Sequence, residues 1–328
     1  MKAIVQDRYG PPDVLRFEEV DTPVAAGQQV LVRVRAAAVN AYDWHVMRGD
    51  PYVARLMDGA VFGRRGPRVP IRGRDFAGRV EAVGAGVTRF RPGDEVFGEA
   101  PGTFAEFVAV PDDVIEPKPA NLTFEQAAAL PLAGNTALMA VRDEGRVRPG
   151  LRVLVNGAAG GVGTFAVQLA KAFGAHVTGV CSGGNADLVR RLGADDVVDY
   201  RLTDFARGAG GYDVVLDLVG NRSLGDLRRT LAPAGTLVLA GGGVFAGGSL
   251  LGPVGLIVRG KLTASFTRQR VRILTVVGSR TNLATLRELA EDARIVPVVE
   301  RTFALSEAAE AIRHVETGHA RGKVTVTV

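Results

Sequence analysis

A single cysteine, Cys181, stands among 328 residues. An intramolecular disulfide is therefore excluded, and so is a metal site built on several thiolates. Whatever redox chemistry the chain performs must be supplied by a cofactor. Aromatic residues are also scarce, at 6%, and none alternates with Arg64, Arg65, Arg68, Arg72 and Arg74 in their Gly/Pro-rich stretch. Without stacking platforms that stretch makes no single-strand nucleic-acid groove. At a net charge of +5 it reads as a solvated loop, and a phosphate-bearing cofactor accounts for local positive charge more simply than a polyanionic partner. The opening Met-Lys-Ala-Ile-Val-Gln-Asp-Arg has no apolar stretch of signal-peptide length before acidic residues arrive, so a cytoplasmic location is expected. The one long uncharged run, 237–258, is interrupted by glycines and by Pro253. It reads as a buried strand, Leu237-Val238-Leu239-Ala240, opening into a glycine loop, and no membrane span is expected. No internal repeat is visible.

What is present suits two packed domains: 47% of residues are hydrophobic, and the length is about two ordinary cores. Up to about Pro119 the pattern is short strands and turns. Val30, Val32 and Val34 alternate with Leu31, Arg33 and Arg35, and the turns Gly84-Ala85-Gly86 and Pro92-Gly93-Asp94 punctuate strands around 79–83 and 95–98. This half reads as a small, irregular β-barrel. At Thr123 the period changes, with Thr123 and Gln126 forming a capping box before Ala127. Pro131 ends that helix, and a second is expected over 135–143. From Leu151 strand and helix alternate, with strands at 152–156, 176–180, 196–198, 213–217, 236–239 and a sixth at 273–277, which predicts a parallel sheet. A helix at 283–292, a strand at 296–299, a helix at 307–316 and a strand at 323–328 are expected to rejoin the first domain. The expected division is 1–123 with 280–328 for the β-rich domain, and 124–279 for the α/β domain.

After the strand 152–156 comes Gly157-Ala158-Ala159-Gly160-Gly161-Val162-Gly163, one residue longer than the G-x-G-x-x-G turn. Glycines there let backbone approach a pyrophosphate, and the next helix directs its unpaired N–H groups at the anion. That helix shows Val162, Phe165, Ala166, Leu169, Ala170 and Phe173 at helical spacing, stopped by Gly174. A glycine run alone is weak, but between a buried strand and an amphipathic helix it is strong. An NAD enzyme usually carries Asp or Glu at the end of the second strand, for the ribose 2′-hydroxyl. Here Val180 is followed by Cys181-Ser182-Gly183-Gly184-Asn185, with Arg190 and Arg191 a helix turn on. Ser182 and Asn185 can donate to a 2′-phosphate, and NADPH (NADP) is the expected cofactor.

Taken together, 40–49, Gly73-Arg74-Asp75-Phe76-Ala77-Gly78, Arg91-Pro92-Gly93-Asp94-Glu95-Val96, the 157–163 turn and Arg321-Gly322-Lys323-Val324 resemble the medium-chain dehydrogenase/reductase superfamily, most closely its quinone oxidoreductase branch. The resemblance implies a GroES-like substrate domain and a Rossmann doubly wound parallel-sheet domain, an α/β class overall, with the active site in the cleft between them. It also implies a homodimer. Zinc-dependent members hold the metal through Cys, His and Cys; those positions match Asn40, Arg74 and the neighbourhood of Leu132 and Ala133, and the structural cysteine cluster is missing, so no metal is expected.

By position, the resemblance puts Thr136 near the nicotinamide ribose, Gly160, Gly161 and Val162 at the pyrophosphate, and Ser182 and Tyr200 around the 2′-phosphate; the glycine turn itself adds Gly157 and Gly163, and the end of the second strand adds Asn185. Val219, Ala240 and Gly241 would line the path to the nicotinamide, and Lys323 would reach a phosphate. Asn40, Asp43 and His45 match the active-site segment of quinone reductases, with Asn40 donating from its amide and His45 donating a hydrogen bond or a proton. Tyr42 and Tyr52 stand nearby as substitutes. The alternative is that Asp43 and His45 only fix the loop, Trp44 belongs to the core and Asn40 hydrogen-bonds backbone. The implied activity is NADPH-dependent, zinc-independent reduction of quinones or activated conjugated carbonyls, on a small hydrophobic acceptor, since a site without a Lewis acid favours an electrophilic partner. Two other readings stay open: an enoyl-thioester reductase, and a cofactor-binding structural or RNA-binding protein without turnover.

Overall fold

The computed structural model describes residues 1–53, 55, 59, 61–208, 210–240 and 268–328. The chain divides into two compact units, one of Met1–Asn135 with Gly278–Val328, the other bounded by Thr136 and Val277. The first unit opens with β1 (Lys2–Val5) and β2 (Arg16–Glu19), an antiparallel pair, then β3 (Gln29–Val39), β4 (Asp75–Val83), β5 (Glu95–Glu99), β6 (Phe107–Pro111) and β7 (Ile115–Pro117). β3 is its axis. Val30, Val32 and Val34 are buried while Arg33 and Arg35 face solvent, the period-two pattern of a strand with one wet face. β4 pairs with nearly all of β3, and β6 takes the other edge over Gln29 to Arg33.

Thr123 and Gln126 close the expected capping box on the helix Phe124–Ala128, which packs on β3 and β4. Pro131 then begins the next helix, Pro131–Leu138, which continues into a wider π-helical turn, Met139–Glu144. The second helix therefore starts before the expected 135: proline needs no N–H at the first helical position and opens a helix as readily as it ends one. The β-rich unit runs on to Asn135.

The second unit holds β8 (Arg152–Asn156), β9 (His176–Cys181), β10 (Asp196–Asp199), β11 (Tyr212–Asp217), β12 (Leu231–Leu239) and β13 (Arg270–Ile273). All are parallel, in the order β10-β9-β8-β11-β12-β13. Counted from β8 this is 3-2-1-4-5-6, the Rossmann order, whose ligand crevice opens where the winding reverses, between β8 and β11. Val153 to Val155 and Val214 to Leu216 are buried, as central strands covered on both faces require. The sixth strand lies earlier than the expected 273–277. The apolar run there misled, for Val277 is 61% exposed. The strand alternates exposed Arg270 and Arg272 with half-buried Val271 and Ile273 because it is a sheet edge, where charge discourages pairing with a stray chain.

The tail rejoins the first unit. The helices Arg280–Glu291 and Ala308–Glu316 and the strands β14 (Val299–Ala304) and β15 (Lys323–Thr327) belong to it, and β15 pairs antiparallel with Ala36 to Val39 of β3. The seven-stranded sheet runs β14-β15-β3-β4-β5-β7, with β6 beside β3. β14 begins where the strand at 296–299 was expected to end; Pro297 offers no N–H to a ladder, so pairing starts beyond it. Among the described residues no helix is long and apolar enough to cross a membrane.

Candidate functional site

In the second unit the parallel register sets Asn156 beside both Val180 and Asp217, so the ends of β9, β8 and β11 lie level. The 157–163 turn leaves from the middle one. Gly157 has a φ of 87°, and a Cβ there would stand 2.7 Å from Val219 Cγ2. A Cβ on Gly163 would come within 2.0 Å of the Gly157 carbonyl oxygen, so these two glycines are demanded by the fold. Gly160 is different. Its φ is an ordinary −80°, and a Cβ would meet only the Gly157 oxygen, at 3.4 Å. Among the described residues nothing asks for glycine at that position, whereas an anion approaching the backbone does.

The helix Gly161–Ala172 begins its bonding with Thr164 N–H to Gly160 O, 2.9 Å. The first-turn N–H groups of Gly161, Val162 and Gly163 precede that bond, and the Gly160 cap has no side chain to satisfy them. Asn156 Nδ2 donates to Asp217 Oδ1 at 2.8 Å, and the same oxygen accepts from Val219 and Gly220 N–H, while Asp217 Oδ2 is buried with no partner among the described residues. A cradle without side chains, first-turn donors and an orphaned acceptor at the switch point together fit a nicotinamide dinucleotide. Val219 and Ala240 stand at the same crevice, Ala240 donating to the Asp217 carbonyl. Gly241 lies outside the described residues. Thr136 is buried within the helix Pro131–Leu138.

Ser182, Asn185 and Tyr200 come together at the neighbouring edge. Asn185 Nδ2 donates to Ser182 Oγ at 3.2 Å, and Tyr200 N–H donates to the Cys181 carbonyl at 3.2 Å. Pairing of β10 on β9 also brings in a residue that sequence reasoning missed. Asp199 lies opposite Cys181, and its Oδ2 is so close to Gly183 that a Cβ there would stand 2.5 Å away. Asn156 and Asp217 were missed too; the signal for all three was their place as the last residue of a strand.

In the first unit Asn40 precedes the helix Ala41–Arg48, and its N–H donates to Asp43 Oδ2 at 2.7 Å. The Asn40 amide is fully engaged. Its Nδ2 donates to Asp75 Oδ2 at 3.0 Å and to Ala38 O at 3.3 Å, and its Oδ1 accepts from Lys323 Nζ. Asp75 Oδ1 accepts from Leu132 N–H at 3.1 Å. Asn40 therefore has no amide hydrogen left to offer a substrate, which corrects the expected donor role. Lys323 is corrected as well. At 3% exposure its ammonium donates to Val39 O (3.2 Å) and Asn40, and faces Asp75 Oδ2 at 3.7 Å, so it braces this cluster and is not available to a phosphate.

Burial pushes the Asp75 carboxyl up and the Lys323 ammonium down, each resisted by the other's charge. Asp43 is pushed up to about 6, by burial first, against the Asn40 N–H and the charges of Arg72, Lys323 and Arg74. Its unfolded counterpart ionises near 3.8, so between these values the folded state holds more protons. The stability linked to Asp43 is present below the lower value and lost as pH rises through the upper one. Urea unfolding across pH 4 to 7 should therefore show the wild type losing about 2–3 kcal/mol relative to Asp43→Asn; a gap independent of pH would contradict a buried, raised carboxyl.

His45 Nδ1 lies 2.9 Å from the Asp50 carbonyl oxygen, and the ring stacks on Trp44 at 3.6 Å. A carbonyl only accepts, so Nδ1 carries the hydrogen, and burial lowers the pKa, opposed by Asp50. Neutral His45 then presents a lone pair at Nε2, so the expected donor is an acceptor near neutral pH. Tyr42 is the better donor. Burial raises its pKa, against the Arg74 guanidinium lying 4.8 Å over its ring, and the phenol keeps its proton. Arg74, at the position of a zinc-binding histidine, pairs with Glu99. Tyr52 is 46% exposed, with Arg55 over its ring.

Arg72 completes the group. It is 6% exposed, yet its Nη1 is buried without a hydrogen-bond partner among the described residues, close enough to Asp43, Tyr42 and Tyr9 to feel their charge. Such an orphaned donor calls for an acceptor brought from outside.

An alcohol dehydrogenase GroES-like domain model matches residues 26–120, and a zinc-binding dehydrogenase model matches 192–326. The chain is 38% identical to the mouse mitochondrial NAD(P)H oxidoreductase RTN4IP1, over 100% of this chain and 89% of that protein. It is 34% identical to the chloroplastic NADPH-dependent alkenal/one oxidoreductase of Arabidopsis thaliana, over 99% and 79%. The quinone oxidoreductase structure from Coxiella burnetii superposes with a TM-score of 0.85 at 33% identity, over 100% of this chain and 99% of that one. With a GroES-like unit, a Rossmann unit and relatives of this kind matched over the whole of this chain, the chain belongs to the medium-chain dehydrogenase/reductase superfamily and is an NAD(P)H oxidoreductase of its quinone oxidoreductase type.

Proposed function

We propose that the protein is a cytoplasmic, zinc-independent reductase that uses NADPH to reduce quinones, or carbon–carbon double bonds conjugated to a carbonyl, in small hydrophobic acceptors. The observation that carries this is Arg72: its buried Nη1, without a hydrogen-bond partner among the described residues, and the Tyr42 phenol nearby offer two donors to an oxygen that gains charge. When bound, the reduced nicotinamide supplies a hydride to the acceptor carbon. Negative charge then builds on the conjugated oxygen, where preorganised donors in a desolvated site act without a metal. Tyr42, still protonated, can also give that oxygen its proton. Asn40 and Arg74, both engaged with neighbouring side chains, support the zinc-independent reading. Ser182, Asn185 and Tyr200 support NADPH, as does the name of the Arabidopsis relative.

NADPH oxidation should be followed with quinones, enones, enoyl thioesters and simple aldehydes, with and without a chelator. Turnover of the first two, insensitive to chelation, is expected. Arg72→Met should lower kcat/KM for both by on the order of a hundredfold with the dinucleotide Kd unchanged. Turnover of simple aldehydes alone, abolished by chelation, would overturn the proposal. Preference for thioesters would move the substrate to enoyl carriers, and NADPH binding with no acceptor consumed would leave a binding protein.

A further inference from the structure

The end of β9 carries no acidic residue, yet a carboxylate stands at the same place. Asp199, the last residue of β10, lies opposite Cys181, so its side chain emerges beside the turn Ser182–Asn185. Gly183 has an ordinary φ, and the only atoms a Cβ would meet there are those of the Asp199 carboxyl, with Oδ2 at 2.5 Å. A Cβ on Gly184 would meet nothing within 4 Å. At its two glycines the turn is bare backbone, open at Gly184 and bordered at Gly183 by this carboxylate. Asp199 Oδ1 accepts from Arg201 N–H at 2.9 Å, which fixes the carboxyl's orientation. No described residue donates to Oδ2.

The charges around this edge do not neutralise it. Arg190 pairs with Asp187 at 3.0 Å, and the Cys181 thiol next to the turn has its pKa raised by burial first and by Asp199 second, with Arg190 opposing. A ribose lying on the turn would therefore present its 2′ position to donors on one side, Ser182 and Asn185, and to a carboxylate on the other. The donors favour a phosphate. The carboxylate accepts a hydrogen bond from a free hydroxyl and repels a phosphate.

We propose that Asp199 is the residue that sets cofactor selectivity, holding the preference for NADPH to a modest one and keeping the site open to NADH. It performs from the third strand the part that dinucleotide folds usually give to an acidic residue ending the second. This rests on reading the 157–163 turn as a dinucleotide site, and it is independent of the acceptor.

The test is a fluorescence titration of the wild-type protein, Asp199→Asn and Asp199→Ser with NADPH and with NADH, no acceptor present. Asparagine keeps an oxygen for the Arg201 N–H, and unchanged melting of the apo protein would show that the turn is intact. In Asp199→Asn the Kd for NADPH should fall about tenfold, by removal of like-charge repulsion, and the Kd for NADH should rise roughly threefold to tenfold, by loss of the charged acceptor. Asp199→Ser should move both in the same directions. Equal fold-changes for the two cofactors would mean that Asp199 only holds the turn through Arg201, and no change in either Kd would mean that the ribose lies elsewhere; either overturns the proposal. If neither cofactor binds the wild-type protein, the dinucleotide reading falls and this inference with it.

Discussion

Gly160→Ala should lose NADPH affinity by on the order of a hundredfold while melting within about 2 °C of the wild type. The added methyl has room in the folded protein, since its nearest neighbour is the Gly157 oxygen at an ordinary 3.4 Å. It lacks room only when an anion sits on the first-turn N–H groups of the helix Gly161–Ala172. Gly163→Ala is the control of opposite kind. Its methyl would stand 2.0 Å from the Gly157 oxygen, so the backbone must shift, and stability should fall by about 3 kcal/mol before any ligand is added. Calorimetric melting of both variants, beside isothermal titration with NADPH, separates the two effects. A Gly160→Ala protein that binds NADPH as tightly as the wild type would show that the pyrophosphate does not rest on this turn.

Lys323→Met should cost about 3–5 kcal/mol in urea unfolding at neutral pH, because it leaves Asp75 buried with its cation removed. The loss should shrink as pH falls, when a carboxyl that burial already pushes upward takes a proton and stops needing a counter-ion. Adding Asp75→Asn to Lys323→Met should recover part of the loss, since the uncompensated charge is then gone. The dinucleotide Kd should change little. A variant of normal stability with a large, NADPH-selective loss of affinity would restore Lys323 to the phosphate and contradict the cluster described above.

The difference between those two sites also explains what could be read from the chain. The 157–163 turn is a local device: strand, glycines and helix are consecutive, and their spacing is the mechanism. So are the capping box at Thr123 and Gln126 and the alternation along β3. Lys323, Asn40 and Asp75 meet only because β15 lies beside β3 and β3 beside β4. No periodicity within any one segment says that the Asn40 amide is already committed on both its nitrogen and its oxygen. Asp199 escaped for the same reason, since the parallel register, not the spacing, carries it to Gly183. Boundaries failed where apolar residues and exposure part company, as at Val277, and where proline acts as a starter, as at Pro131, or delays a strand, as at Pro297.

The insertion of one unit within the other imposes an order on assembly. Lys323 bonds to the carbonyl of Val39 across 284 residues of sequence, and the end of β3 from Ala36 to Val39 has, among the described residues, no strand partner on that edge until β15 is available. The Rossmann sheet is free of this delay, because its six strands all fall between Arg152 and Ile273. As a ribosome releases the chain, the α/β unit can close while the β-rich one still shows an apolar, unpaired strand edge, Ala-Ala-Ala-Val, to its surroundings. The period of greatest exposure to mispairing in the life of this protein is thus the interval between synthesis of the first strand of that edge and the last.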